Sequence, residues 1–115
     1  MKDSLATLEQ LVLSAVVLLG DDAYGMSVHK KAEQLAEKPI SLGGVYVTLD
    51  RLRAKGYLTT RETEPLPERG GRRKRCYFMS AAGARGLQEA AAAARNMYEA
   101  IDEVSWFRKK WGRAR

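Results

Sequence analysis

Apolar residues recur at three- and four-residue spacing from Thr7 to Leu19, where Leu8, Leu11, Val12, Ala15, Val16, Leu18 and Leu19 follow a helical repeat. Thr7 and Gln10 have the spacing of a capping box, and Gly20 with the following Asp-Asp ends the segment. A second, weaker amphipathic pattern runs through "AYGMSVHKKAEQLAEK" on Tyr24, Met26, Val28, Ala32, Leu35 and Ala36, and stops before Pro39. Ser41 is placed to cap a third helix from Leu42 to about Lys55, with Gly56 just past its end, where a left-handed backbone suits glycine. "YLTTRETE" then reads as a strand that starts apolar and ends polar and "KRCYFM" as a returning strand, joined by the turn-forming "PLPERGGRR" into a hairpin that leaves the core. Ser80 opens a last helix expected to run unbroken from Ala81 to about Lys110 through Ala, Glu, Gln, Arg and Lys.

These patterns predict a mainly α chain with one small β-hairpin. At about 1.5 Å per residue the last helix would be about 45 Å long, more than so small a domain is wide. Part of it must project or meet a partner. Leu87, Ala90, Ala94, Met97, Ile101, Val104 and Trp111 form a stripe along it suited to another helix. In helix three, about 100° per residue puts Val45, Leu49 and Leu52 on one face, which buries, and leaves Val47, Asp50, Arg51 and Ala54 opposite, with Tyr46 on the flank.

Charge sharpens this picture. The 115 residues carry 20 Lys and Arg against 14 Asp and Glu, a net +6, and half of the cations lie in residues 69–75 and 108–115. Clustered excess of this kind makes nucleic acid the first partner to test. One cysteine, Cys76, gives neither a disulfide framework nor a thiolate metal cluster, and a reducing cytoplasm fits it. Cys76 alternates with Arg75 and Tyr77 and is expected to pack as a small hydrophobe; His29, the one histidine, is expected in an exposed or capping role. The start "MKDSLATLEQL" lacks a signal-peptide pattern, and no apolar run reaches the ~18 to 20 residues of a membrane span. Without a Walker loop, a dinucleotide fingerprint, a His/Cys pair or a nucleophile elbow, neither an enzyme nor a cofactor is implied.

Three helices, a hairpin and a long helix in that order describe a winged helix-turn-helix, residues 1–80, followed by a C-terminal dimerisation helix, residues 81–115. In that arrangement the second helix of the pair enters the major groove. Ser41, Gly43 and Gly44 bring the N-terminal amides of helix three towards a phosphate. Tyr46 offers a hydroxyl, Val47 methyl groups for thymine and Arg51 a guanidinium for guanine or phosphate; Asp50 either pairs with a neighbouring arginine or accepts from a cytosine amine. The glycines of "ERGGRRKRCYFMS" let the hairpin turn, and Arg69, Arg72, Arg73 and Lys74 at its tip meet the DNA backbone. If two chains each contact ~4 phosphates, the logarithm of affinity falls against log salt with a slope of about -7. The rival is a winged helix that docks on a protein and ignores duplex DNA.

The stretches "LEQLVLSAVVLLGDDAYGMSV", "GGVYVTLDRLRAKGYL" and "RRKRCYFMSAAGARGL", together about residues 7–88, resemble successive signatures of the PadR family of bacterial winged-helix transcription regulators. Tyr24 and Gly25, then Tyr46, Leu49, Leu52 and Gly56, then Tyr77, Ser80, Gly83 and Leu87 carry the resemblance; the family commonly has Pro and Ala where Val47 and Thr48 stand. The resemblance implies a homodimeric repressor on an inverted-repeat operator, dimerised through the last helix by residues such as Leu87, Ala94, Met97, Ile101 and Val104. The short extension resembles the smaller subfamily, some of whose members bind flat aromatic molecules near tryptophans of that helix. Trp106, Phe107 and Trp111 are either such an effector site or anchors of the interface, and in a continuous helix Trp106 and Trp111 would point to different sides.

Overall fold

The computed structural model describes residues 5–62 and 74–114. Helix α1 spans Thr7–Leu19, followed by one 3-10 turn over Gly20–Asp22; α2 spans Gly25–Ala36 and α3 Leu42–Ala54. Strands β1 (Leu58–Glu62) and β2 (Arg75–Met79) pair antiparallel, Leu58 opposite Met79 and Glu62 opposite Arg75. Helices α4 (Ala81–Asp102) and α5 (Ser105–Trp111) complete the chain. The chain is therefore mainly helical with one small hairpin, in the order of a winged helix.

The core forms where α1 packs on α2 and α3 and the hairpin closes one side. Val12, Leu13, Val28, Val45, Leu49, Leu52 and Leu58 are fully buried, each adding about 1.5–3 kcal/mol relative to exposure. Leu13 belongs to this core although the periodicity passes over it, and Leu18, placed by periodicity in the stripe, is 61% exposed. Helix α1 is covered from several directions, so its buried face is wider than one stripe and Leu18 falls outside it. Met26 and Leu35 of the second apolar pattern are likewise on the surface.

The capping details also differ from the spacing argument. The N-cap of α1 is Ala6, whose N–H donates to Glu9 Oε1 at 2.9 Å, while Gln10 reaches back to the Leu5 carbonyl at 3.0 Å. Glu9 then ties the two ends of the core together, because its other oxygen accepts from Lys55 Nζ at 2.9 Å just beyond α3. Ser41 and Ser80 cap α3 and α4 as their positions predict, accepting from the amides of Gly44 and Gly83. Gly56 takes the left-handed backbone, φ 80°, that turns the chain into β1.

The single helix expected from residue 81 to about 110 is broken. Val104 adopts an extended conformation between α4 and α5, and the chain folds back until the Ala114 amide meets Asp102 Oδ1 at 2.7 Å. Arg108 donates to the Asp102 carbonyl across the same bend. Helix α4, with 22 residues, is about 33 Å long. Its start packs on the body through the buried Gly83 and through Leu87, which rests against the core of its own chain, and the molecule measures 60 × 31 × 21 Å.

Candidate nucleic-acid interface

The turn between α2 and α3 is fixed from the α2 side. Glu33 Oε2 accepts from the Ile40 amide at 2.9 Å, and His29 Nε2 hydrogen-bonds the Ile40 carbonyl at 2.7 Å. Both polar groups of one peptide residue are thus held by side chains a helical turn apart, directly before the Ser41 cap. His29 is therefore a brace for the turn.

With Val45, Leu49 and Leu52 buried, the opposite face of α3 presents Val47, Asp50 and Arg51 to solvent, as the helical arithmetic predicts. Val47 is 57% exposed and Tyr46 40%. Thr48 is buried and its hydroxyl donates to the Gly44 carbonyl at 2.8 Å, leaving it no reach outward. At the N-terminus Ser41 takes the Gly44 amide, so the amides of Leu42 and Gly43 are the first-turn donors that face the helix end.

The root of the hairpin lies beside this face. Tyr77 and Leu58 turn into the core, so Arg75, two residues before Tyr77, shares the side of the sheet that faces α3. Burial pushes the Tyr77 hydroxyl above its ordinary pKa of 10.0; a hydrogen bond with Arg75 and its charge oppose this, and nearby Asp50 and Tyr46 add to the rise. Tyr46, Asp50, Arg75 and Tyr77 therefore meet in one place, between α3 and the strand. On the next residue out, the Lys74 ammonium sits 3.9 Å from the centroid of the Tyr24 ring, and Tyr24 itself bridges Cys76. Cys76 is buried in the sheet.

Of the wing cations named from the sequence, Lys74 is found at the hairpin root; Arg69, Arg72 and Arg73 lie outside the described residues. Arg75, Tyr77 and Tyr24 were not among the site residues read from the sequence. Strand parity was the available signal for Arg75, since a core-facing Tyr77 fixes the direction of residue 75.

At the other end, Met97 is 55% exposed and Val104 39%, while Ala94 and Ile101 are half-buried. An open groove of about 790 Å³ runs between the start of α1, Tyr57 and α4, lined by Gln10, Ala90, Ala94 and Met97 among others. Trp106 and Trp111 are about two-thirds exposed, and Trp106 meets Phe107 edge to face at 5.8 Å. No described helix is long and apolar enough to cross a membrane, and no group of three or more His, Cys, Asp or Glu among the described residues is arranged to hold a metal ion.

Solved structures with this architecture include a PadR-like transcription factor from Bacteroides fragilis, 22% identical with a TM-score of 0.67, covering 84% of this chain and 88% of that one. A PadR family transcription regulator from Clostridium difficile is 20% identical with a TM-score of 0.66, covering 85% of this chain and 97% of that one. One from Eggerthella lenta is 22% identical with a TM-score of 0.64, over 83% and 80% of the respective chains. No curated protein sequence matches the chain. The sequence model of the transcriptional regulator PadR-like family matches residues 12–89, which runs from the middle of α1 to the first turns of α4 and covers more than half of the chain, so this chain belongs to the PadR-like family of transcriptional regulators.

Proposed function

We propose that the chain regulates transcription by binding duplex DNA as a homodimer, with α3 in the major groove and the hairpin on the backbone, and that it represses from an inverted-repeat operator. The observation that carries this reading is the outward face of α3, where Val47 and Arg51 stand exposed beside a hairpin root bearing Lys74 and Arg75. Side chains of that kind on a groove-sized helix read base edges, while cations beside it neutralise phosphates. Residues 81–115 supply the contact between copies, where exposed Met97 and Val104 gain burial.

Selecting bound sequences from random duplexes tests the reading. The expected product is an inverted repeat whose half-sites lie about 34–36 Å apart, or a multiple of that. Retention of no duplex at low salt would favour a protein-docking module instead. Replacing Arg51 with alanine should weaken binding to the selected repeat by about 1–3 kcal/mol and relax base preference at one position in each half-site.

A small planar aromatic ligand near Trp106, Phe107 and Trp111 completes the proposal as the signal that releases DNA. The exposure of Trp106 and Trp111 supports it, although both stand on α5, five residues and so about 140° apart, and a ligand within one chain would meet one ring or the other. Their emission is expected to be quenched on titration with planar aromatics and the response lost in Trp106→Ala or Trp111→Ala; unchanged emission across a broad panel would leave these rings as interface anchors.

A further inference from the structure

Gly25 raises a question that its backbone does not answer. Among the described glycines only Gly20, Gly56 and Gly112 have positive φ, so Gly25, the first residue of α2, has no conformational need to lack a side chain. A helix loses up to about 1 kcal/mol by carrying glycine in place of alanine. Space supplies the reason. A Cβ built on Gly25 would stand 2.1 Å from Tyr46 Oη and 2.4 Å from both Cε1 and Cζ of the same ring, far inside any real carbon contact. Gly25 is buried, and the hydroxyl end of the Tyr46 ring fills the space that a side chain at position 25 would take.

We infer that Gly25 is a positioning residue for DNA recognition: it is the seat that fixes the direction in which α3 presents Tyr46. This rests on the DNA-binding reading above and extends it to a residue on a different helix. Tyr46 is 40% exposed, so the ring is held on one side by α2 and open on the other, with its polar end at the junction of α2, α3 and the hairpin root. The neighbouring segments are tied to the same spot. The Tyr24 amide donates to Ser27 Oγ at 3.0 Å, and the Tyr77 amide donates to the Ala23 carbonyl at 2.8 Å, so neither α2 nor β2 can retreat to make room. Any side chain at position 25 must therefore turn the Tyr46 ring away.

The test is a double-mutant cycle read as affinity of the full chain for a duplex carrying the selected repeat, with thermal midpoints measured alongside. Binding of that duplex by the unmodified chain is the prior condition, and its failure would sink the DNA-binding reading itself and not this one. Given binding, Tyr46→Ala and Gly25→Ala are each expected to weaken it about tenfold, with the double variant no weaker than Tyr46→Ala alone. If Gly25→Ala alone does not fold, Tyr46→Ala against the double variant still decides, since the clash is absent from both. Equal affinities in that pair support the seat. A further drop in the double variant, undiminished binding by Tyr46→Ala, or a Gly25→Ala variant that loses thermal stability while keeping full affinity would overturn it.

Discussion

Alanine at Gly83 is expected to destabilise the chain by about 3 kcal/mol and lower its melting temperature by roughly 10 °C or more, as measured by urea and thermal unfolding. Gly83 lies in the first turn of α4, and a Cβ there would be 2.3 Å from the Tyr57 carbonyl oxygen and 3.0 Å from Met79 Cγ. The oxygen belongs to the backbone and is already committed, accepting from the Ser80 amide at 3.1 Å, while the Ser80 hydroxyl donates to the Gly56 carbonyl at 2.6 Å. These bonds fasten the start of α4 to the turn between α3 and β1, so relief of the clash requires breaking that fastening. Helix propensity favours the alanine by up to about 1 kcal/mol, too little to win. Gly86 provides the control. Its added Cβ would meet Leu5 Cδ1 at 3.5 Å and Tyr57 Cε2 at 3.8 Å, ordinary contacts, and Gly86→Ala should be neutral or stabilising by about 0.5 kcal/mol.

Lys55→Met is expected to cost about 3 kcal/mol at neutral pH, and Glu9→Gln only about 1 kcal/mol. The asymmetry follows from exposure: the Glu9 side chain is 4% exposed and that of Lys55 31%, so an abandoned lysine turns to water but an abandoned carboxylate cannot. Burial by itself would raise the Glu9 pKa, yet the hydrogen bonds from Lys55 and Ala6 and the charges of Lys55 and Arg51 outweigh it and hold the carboxyl below 4.5. A group lowered on folding stabilises above its unfolded pKa and loses that contribution as pH falls through its folded value. In Lys55→Met only the Ala6 hydrogen bond and the Arg51 charge still oppose burial, so the carboxyl is held down less firmly and acidification costs the variant less than the unmodified chain. The stability gap between the two proteins should therefore narrow as pH falls through the carboxylate range, and a gap independent of pH would exclude the pair as its origin.

Periodicity and end signals were enough for α1, for both ends of α3 and for the cap of α4, because each is settled by residues within a few positions of one another. The buried triad Val45, Leu49 and Leu52 likewise fixed which side of α3 meets solvent, and with it Val47, Asp50 and Arg51. Local signals carry α4 too far because Ile101 to Trp111 holds no glycine or proline. Its bend depends on Asp102 gathering Arg108 and the Ala114 amide, contacts that exist only after the chain has turned. Asp102 and Ser105, which compete with helical backbone bonds, were the local hint. The meeting of Tyr46 with Gly25, and of the strand residues Tyr77 and Arg75 with Asp50 and Tyr46, lies beyond local signals for a related reason. Each joins segments remote along the chain, and nothing in either segment names the other.

Helix α3 is strapped at both ends, at Ile40 by the two side chains of α2 and at Lys55 by the carboxylate of α1. A reading head so tied has little freedom to tilt within its own subunit. In the proposed pair, a signal that loosens the grip on an operator would have to alter the span or twist between two stiff halves, which makes the distance between the two copies of Arg51 the quantity to follow when a ligand is added.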